Sequence, residues 1–274
     1  MAMNNRYQTK IKGRFLKIKA PVSDNPLINQ ALVVVNQNPE INMLWRISNT
    51  NAIERLKMTD HGPVHFQIVT NVALKIMRLL REKKVKMTIT ENYGLSYEYA
   101  ELVVLLTCLF HDLGMTINRE GHEEYSLFLA NNLMRETLTF LPVEERTVVI
   151  AETLHAIINH RSDGQPLTIE AGVVRVADAL DMSEGRSRIP YETGKMNIYS
   201  LSALAVDKVE IKPGKDKPIL IVVYMNNSSG LFQVDELLKK KIKRSGLEKL
   251  IEVEAFISHE KEKKLMKGKF KISY

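Results

Sequence analysis

Seven histidines occur in this 274-residue chain, and six of them fall between positions 61 and 160: His61, His65, His111, His122, His155 and His160. His111 stands beside Asp112 in FHDLGM, residues 110–115, which closes the apolar run LVVLLTCLF. Neutral imidazoles and ionised carboxylates hold divalent ions when rigid elements gather them around one point. A lone histidine on an apolar face is more often an ordinary core residue, and a His-Asp pair at a helix end can be no more than a cap. Six histidines near helix ends are harder to account for in that way. Asp178 adds a carboxylate inside the apolar stretch VVRVADAL, where it is costly without a partner. An ion pair with Arg175, one turn earlier, is the alternative. Asp181 is expected to be the more exposed partner for that arginine, which favours a metal for Asp178.

The elements that must carry these residues read as helices from about residue 27 to residue 202. Pro63 suits the first turn of a helix. Its apolar stripe is Val64, Ile68, Val69, Val72, Ala73, Ile76 and Leu80, and it includes His65. A second helix is expected over about 97–111, with Gly114 as its C-terminal stop. A third is expected over about 123–138, a fourth over 143–160 and a fifth over 168–182. The candidates thus sit on successive helices. His65 lies one turn into the first, His111 and Asp112 end the second, His122 begins the third, His160 ends the fourth and Asp178 lies in the fifth. Five residues along a helix, His155 points about 140° away from His160 and is set aside.

In this order, His65, then His111-Asp112, then Asp178 resemble the H…HD…D signature of the HD-domain metal-dependent phosphohydrolases. HFQIVTNVALKI resembles the family's first helix, CLFHDLG its LLHDIGK wording, and RVADALD the ending that carries its last ligand. The resemblance covers about residues 45–185. It implies a mainly α fold, a helical HD bundle, with His65, His111, Asp112 and Asp178 as metal ligands. Two further histidines, His122 and His160, fall where two-metal branches such as the HD-GYP phosphodiesterases carry theirs. The GYP segment is absent, with DGQPLT in its place. HEEYS is also similar to a stretch of the dNTP triphosphohydrolase branch, in which a histidine acts at the phosphate. The resemblance therefore implies one or two divalent ions, with Mn, Mg, Fe, Ni, Co and Zn all compatible with mixed N/O ligation.

A metal centre of this kind hydrolyses phosphate esters or anhydrides with an activated water. Asp112, His122 and His160 are the expected catalytic groups, and a nucleotide or another small phosphorylated molecule is the expected substrate. Arg161, Arg186 and Arg188 are the candidate phosphate contacts, since Arg binds phosphate with two parallel hydrogen bonds. Arg55 and Lys57 lie just upstream of DHGPVH. His61, in that stretch, is a candidate ligand, substrate contact or cap. No GxxxxGK loop occurs, and no Ser or Cys sits in a nucleophile-elbow context, so P-loop and covalent mechanisms are set aside. The alternative function is an HD scaffold that senses a nucleotide or binds nucleic acid.

Composition is that of a globular chain, 45% hydrophobic and 26% charged. No stretch reads as approaching the roughly 20 apolar residues of a membrane span. The N-terminus lacks the apolar core of an export signal, and the single Cys108 fits a reducing compartment and a core position. A cytoplasmic location is expected. Three divisions are expected: an N-terminal arm over 1–26, in which KIKGRFLKIKA reads as a strand, the helical catalytic domain over 27–202, and a small α+β module over 203–274. In that module KVEIK, PILIVVYM, LIEVEAFISH and KFKISY read as strands, with a helix over about 233–244. From Leu201 onward the chain has 16 Lys and Arg against 10 Asp and Glu, so most of the +7 net charge lies there. That basic module is the expected site of any nucleic-acid contact, and its edge strand allows a homo-oligomer.

Overall fold

The computed structural model describes residues 16–22, 24–161, 163–182 and 198–257. Arg186, Arg188, His259 and the expected strand KFKISY lie outside the described residues. The helices are α1 (Pro26–Gln37), α2 (Pro39–Asn49), α3 (Pro63–Glu82), α4 (Thr88–Tyr93), α5 (Tyr97–Phe110), α6 (His122–Thr137), α7 (Val143–Ile158) and α8 (Ile169–Ala179). The protein is mainly α, as the residue patterns indicate. Asn25 and Asn38 cap α1 and α2 by accepting hydrogen bonds from backbone N–H groups of their first turns. Proline begins α1, α2 and α3, where its missing N–H leaves no helical bond unmade.

Helix α5 is the axis of the bundle. Every residue from Ala100 to Phe110 is buried, and α1, α3, α7 and α8 pack around it. A helix apolar on all sides is stable in water only when surrounded. Together with the turn that follows, Tyr97–Thr116 is long and apolar enough to be a candidate membrane span, contrary to the expectation from sequence, but 89% of that window is buried within the protein.

Three local expectations are corrected. On α3, Val64 and Ile68 are 52% and 39% exposed, and His65 and Phe66 are buried in their place. The buried face is turned so that Phe66 meets Trp45, ring centroids 5.9 Å apart. Gly114 does not end α5 in a left-handed conformation. It lies in a 3-10 turn, Leu113–Thr116, where a Cβ would stand 1.9 Å from the His122 carbonyl oxygen. Its role is to let two backbones meet. Residues 16–22 form no strand. The Asn36 side chain satisfies both backbone groups of Ile18, accepting at 2.8 Å and donating at 2.9 Å, as a strand partner would.

After α9 (Ile198–Leu204) come β1 (Val206–Pro213), β2 (Ile219–Met225) and β3 (Ile251–Ile257). The sheet order is β1-β2-β3, with β1 antiparallel and β3 parallel to β2. Parallel pairing requires a crossover. Part of it is a π-helical turn, Gln233–Leu238, running into α10 (Lys239–Ile242), so the helix expected over 233–244 is shorter and changes pitch midway. This crossover packs on α8.

Candidate metal centre

Local structure sets each candidate residue. Asp60 Oδ1 accepts from the backbone N–H of Gly62 at 3.0 Å and of His65 at 3.1 Å, which holds His65 in the first turn of α3. Trp45 Nε1 donates to the Leu109 carbonyl at 3.0 Å, so α2 braces the end of α5 next to His111. The Ser126 hydroxyl accepts from Gly114 N–H at 2.8 Å and faces the carbonyls of His111 and His122 at 2.7 and 2.8 Å. One hydroxyl therefore joins the HD turn to α6.

Four imidazoles then share one arrangement. Each has its Nδ1 occupied: His65 by Asp181 Oδ2 at 2.6 Å, His111 by the Cys108 carbonyl at 3.1 Å, His122 by the Arg119 carbonyl at 3.0 Å and His160 by the Ile157 carbonyl at 2.6 Å. A neutral ring that donates from Nδ1 presents a bare lone pair at Nε2. The Nε2 atoms converge. Those of His65 and His111 are 3.2 Å apart, close enough to share one cation. Asp178 Oδ1 lies 3.4 Å from His65 Nε2 and 3.9 Å from His111 Nε2. Asp112 Oδ2 lies 3.6 and 3.4 Å from the same two nitrogens. Its other oxygen, Oδ1, lies 3.0 Å from His122 Nε2 and 3.8 Å from His160 Nε2. Ligands about 2.1 Å from one ion sit roughly 3 to 3.5 Å from each other, so the donor set fits divalent ions. In two overlapping groups, His65 with His111 and Asp178, and His111 with Asp112 and His160, the ligand atoms all lie within 4.8 Å of one another.

The protonation states suit ligation. Burial holds the pKa of His111 below its ordinary value and that of His160 well below, which favours the neutral rings that ligation needs. Burial would raise Asp112, but attraction to His111 and the hydrogen bond with His122 hold it well below the carboxylate range. Burial opposes ionisation of Asp178 too, and Lys241 with His65 overcomes it. His122 differs: burial lowers its pKa, but the hydrogen bond to Asp112, made by a proton on Nε2 that a bound metal would displace, outweighs this and raises it.

The surrounding chain matches known proteins in the same region. Residues 66–183 match the HD domain family. A Methanocaldococcus jannaschii protein described as "Uncharacterized protein MJ1020" is 38% identical over 226 residues, covering 82% of this chain and 87% of that protein. The chain belongs to the HD-domain superfamily. No solved structure matches it. Membership places this HD-domain protein in the metal-dependent phosphohydrolase superfamily and makes divalent metal its expected cofactor. The HD match opens at Phe66, one residue past His65.

Other residues singled out in the sequence lie at or beyond the rim of the HD centre. The ring of His61 is 5.8 Å from that of His65, with its Nδ1 bonded to the Thr59 carbonyl at 2.8 Å. Arg161 Nη1 pairs with the buried Glu123 at 2.6 Å, beside His122. Arg55 is exposed and bonded to Asn51, and Lys57 is exposed. His155 faces Asn159 and the Leu167 N–H, away from the cluster.

Two expectations about the centre are corrected. Asp181 is buried, its side chain less exposed than that of Asp178 (6% against 19%), because it sits behind His65. Arg175 donates to the carbonyls of Lys241, Asn159, Arg161 and Gly164, and Asp178 is paired instead with Lys241 Nζ at 2.9 Å. Sequence reading missed both Asp181 as the support of His65 and Lys241. For Asp181 the signal was its place three residues after Asp178, one turn along toward the same face.

Proposed function

We propose that this HD-domain protein is a two-metal phosphohydrolase that cleaves a phosphate ester or anhydride of a nucleotide or another small phosphorylated molecule. The observation that carries the reading is the set of four imidazole Nε2 atoms that converge on two carboxylates, with every Nδ1 already bonded. Metal-ligating histidines characteristically carry this outer hydrogen bond, which fixes tautomer and ring orientation. In this reading His65, His111, Asp112 and Asp178 would hold one ion, and Asp112, His122 and His160 would hold a second. Ions bound there would lower the pKa of a water and polarise a phosphoryl oxygen.

The chain's own groups do the remaining work. Asp112 keeps its negative charge because His111 and His122 stabilise it, so it can serve both ligand sets at once. His122, raised in basicity by that carboxylate, is the group suited to hand a proton to a leaving oxygen when it is not ligating. Arg161 at the rim, held by Glu123, and His61 beside His65 are the proposed contacts to a phosphate, together with Arg186 and Arg188.

The test is elemental analysis of the purified protein, then hydrolysis of a panel of nucleotides and simple phosphoesters. Two ions per chain and release of phosphate or of a nucleotide product are expected, both abolished by Asp112→Ala. A fully metal-loaded protein inert on the whole panel would overturn the reading. The alternative, a nucleic-acid-binding or nucleotide-sensing scaffold, predicts salt-dependent RNA or DNA binding that survives Asp112→Ala.

A further inference from the structure

Lys241 lies on α10, between β2 and β3, outside the helices that carry the histidines. Its two neighbours behave as surface lysines. Lys239 and Lys240 are 71% and 59% exposed and pair with Asp235 and Glu236 one turn back. Lys241 turns inward instead. Its side chain is 12% exposed, and Nζ donates to Asp178 Oδ2 at 2.9 Å and to the carbonyl of His160. An ammonium is withdrawn from water at considerable cost unless it is paired, and here both contacts are to residues of the ligand cluster.

The consequence for Asp178 is directional. With Oδ2 bonded to Lys241, Oδ1 is the oxygen that faces His65 and His111. The same ammonium holds the backbone of His160, whose ring is fixed by Ile157. One side chain thus ties together two members of the cluster that sit on different elements.

Lys241 is itself anchored. Its carbonyl accepts from Arg175 Nε at 2.9 Å. Arg175 is fully buried on α8, and its Nη1 donates to the carbonyls of Asn159 at 3.2 Å, Gly164 at 2.9 Å and Arg161. The guanidinium therefore locks the loop after His160 to the segment that carries Lys241. One turn earlier, Gly172 meets that segment directly: a Cβ there would stand 2.1 Å from the Ser245 carbonyl oxygen.

We propose that Lys241 is a positioning residue of the metal centre, through which the crossover between β2 and β3 sets the metal affinity of the helical bundle. The inference rests on the two-metal reading above, and it assigns the crossover a function in the centre. Two effects of the lysine oppose each other. Its positive charge repels a nearby dication, whereas its hydrogen bonds hold Asp178 and His160 in place. Removing charge alone would tighten metal binding, so a weakening on removal identifies the positioning effect.

The experiment is titration of the full-length, metal-free protein with Mn²⁺ by calorimetry, with thermal unfolding in chelator run in parallel. Lys241→Met is expected to bind Mn²⁺ about 10- to 100-fold more weakly, the range for loss of a group that supports a ligand. Lys241→Arg, which keeps charge and hydrogen bonds, should recover most of the affinity, and Lys240→Met should bind like the parent. Gly172→Ala leaves Lys241 and every ligand in the sequence but displaces the crossover, and should weaken binding as well. Should Lys241→Met prove unfolded in chelator, Lys241→Gln and Gly172→Ala decide in its place. Mn²⁺ affinity equal to or tighter than the parent's in the folded variants would overturn the role of Lys241 and leave the two-metal reading standing. A parent protein that binds none of Mn²⁺, Mg²⁺, Fe²⁺, Co²⁺, Ni²⁺ and Zn²⁺ in the same titration would overturn both.

Discussion

Nδ1 of His65 donates to Asp181 Oδ2 across 2.6 Å, joining residues 116 apart in the chain. The carboxylate holds the imidazole in the tautomer that offers Nε2 to the cluster, and it makes that nitrogen more basic. Asp181→Ala is therefore expected to lower metal affinity by about 10- to 100-fold, with Asp181→Asn, whose carbonyl can still accept the hydrogen bond, falling between. Calorimetric titration with Mn²⁺ checks this. Unchanged affinity in Asp181→Ala would show that His65 needs no support.

The two oxygens of Asp112 face different histidine pairs, and metal counts follow from that division. Equilibrium dialysis followed by elemental analysis should find two ions in the parent and none in Asp112→Ala. His122→Ala should keep the ion of His65, His111 and Asp178 and lose the other. A single ion in the parent, retained in His122→Ala, would confine the centre to one site.

Gly114 and Ser126 hold the HD turn against α6. Removing the Ser126 hydroxyl leaves the buried Gly114 N–H without its acceptor, at a cost of roughly 1 to 3 kcal/mol. Gly114→Ala should be far more damaging, because its Cβ would meet a backbone carbonyl and not the flexible end of a side chain. Melting temperatures should fall in the order parent, Ser126→Ala, Gly114→Ala, with metal content lost in the last. A Gly114→Ala protein as stable as the parent would contradict the close contact.

Glu170 supplies a pH dependence remote from the centre. Its Oε1 accepts from Ile89 N–H at 3.0 Å, while Oε2 is buried without a hydrogen-bond partner. Burial raises its pKa above the ordinary 4.5. A carboxyl with a raised folded-state pKa binds its proton more tightly when folded. Its charge therefore costs stability at neutral pH, and that cost vanishes as the pH falls below the ordinary value. Glu170→Gln should raise the melting temperature by roughly 2 to 4 °C at pH 7 and change it little at pH 4. An equal gain at both pH values would rule out titration of this group as the cause.

The ligand candidates were legible because their residue types are expensive in their setting. A His-Asp pair at the end of an apolar run, or an aspartate within VVRVADAL, needs a partner, and successive helices offered one. Lys241 carried no such signal. It sits in the run KKKIKR, where any lysine reads as solvated, and the π-helical turn before it changes the pitch and so which lysine faces inward. Asp181 looked exposed because it falls where α8 ends, and only the packing of α3 against α8 puts His65 in front of it. The exposed Val64 and Ile68 have a similar origin: the stripe was right in period, but its centre was set by Trp45 and the surrounding helices. The strands were legible from Val and Ile content, while the parallel pairing of β2 with β3 depends on how the crossover lies on α8.

The bond from Lys241 to Asp178 spans 63 residues, and Lys241 is the later of the two in the chain. During synthesis every histidine of the cluster emerges before this lysine does, and contacts between distant segments form only after their loops close. A ribosome-bound chain that has already made all its helices through α8 would still have Asp178 without its ammonium partner. Emergence of the crossover between β2 and β3, and not assembly of the helices, is the event that finishes the cluster.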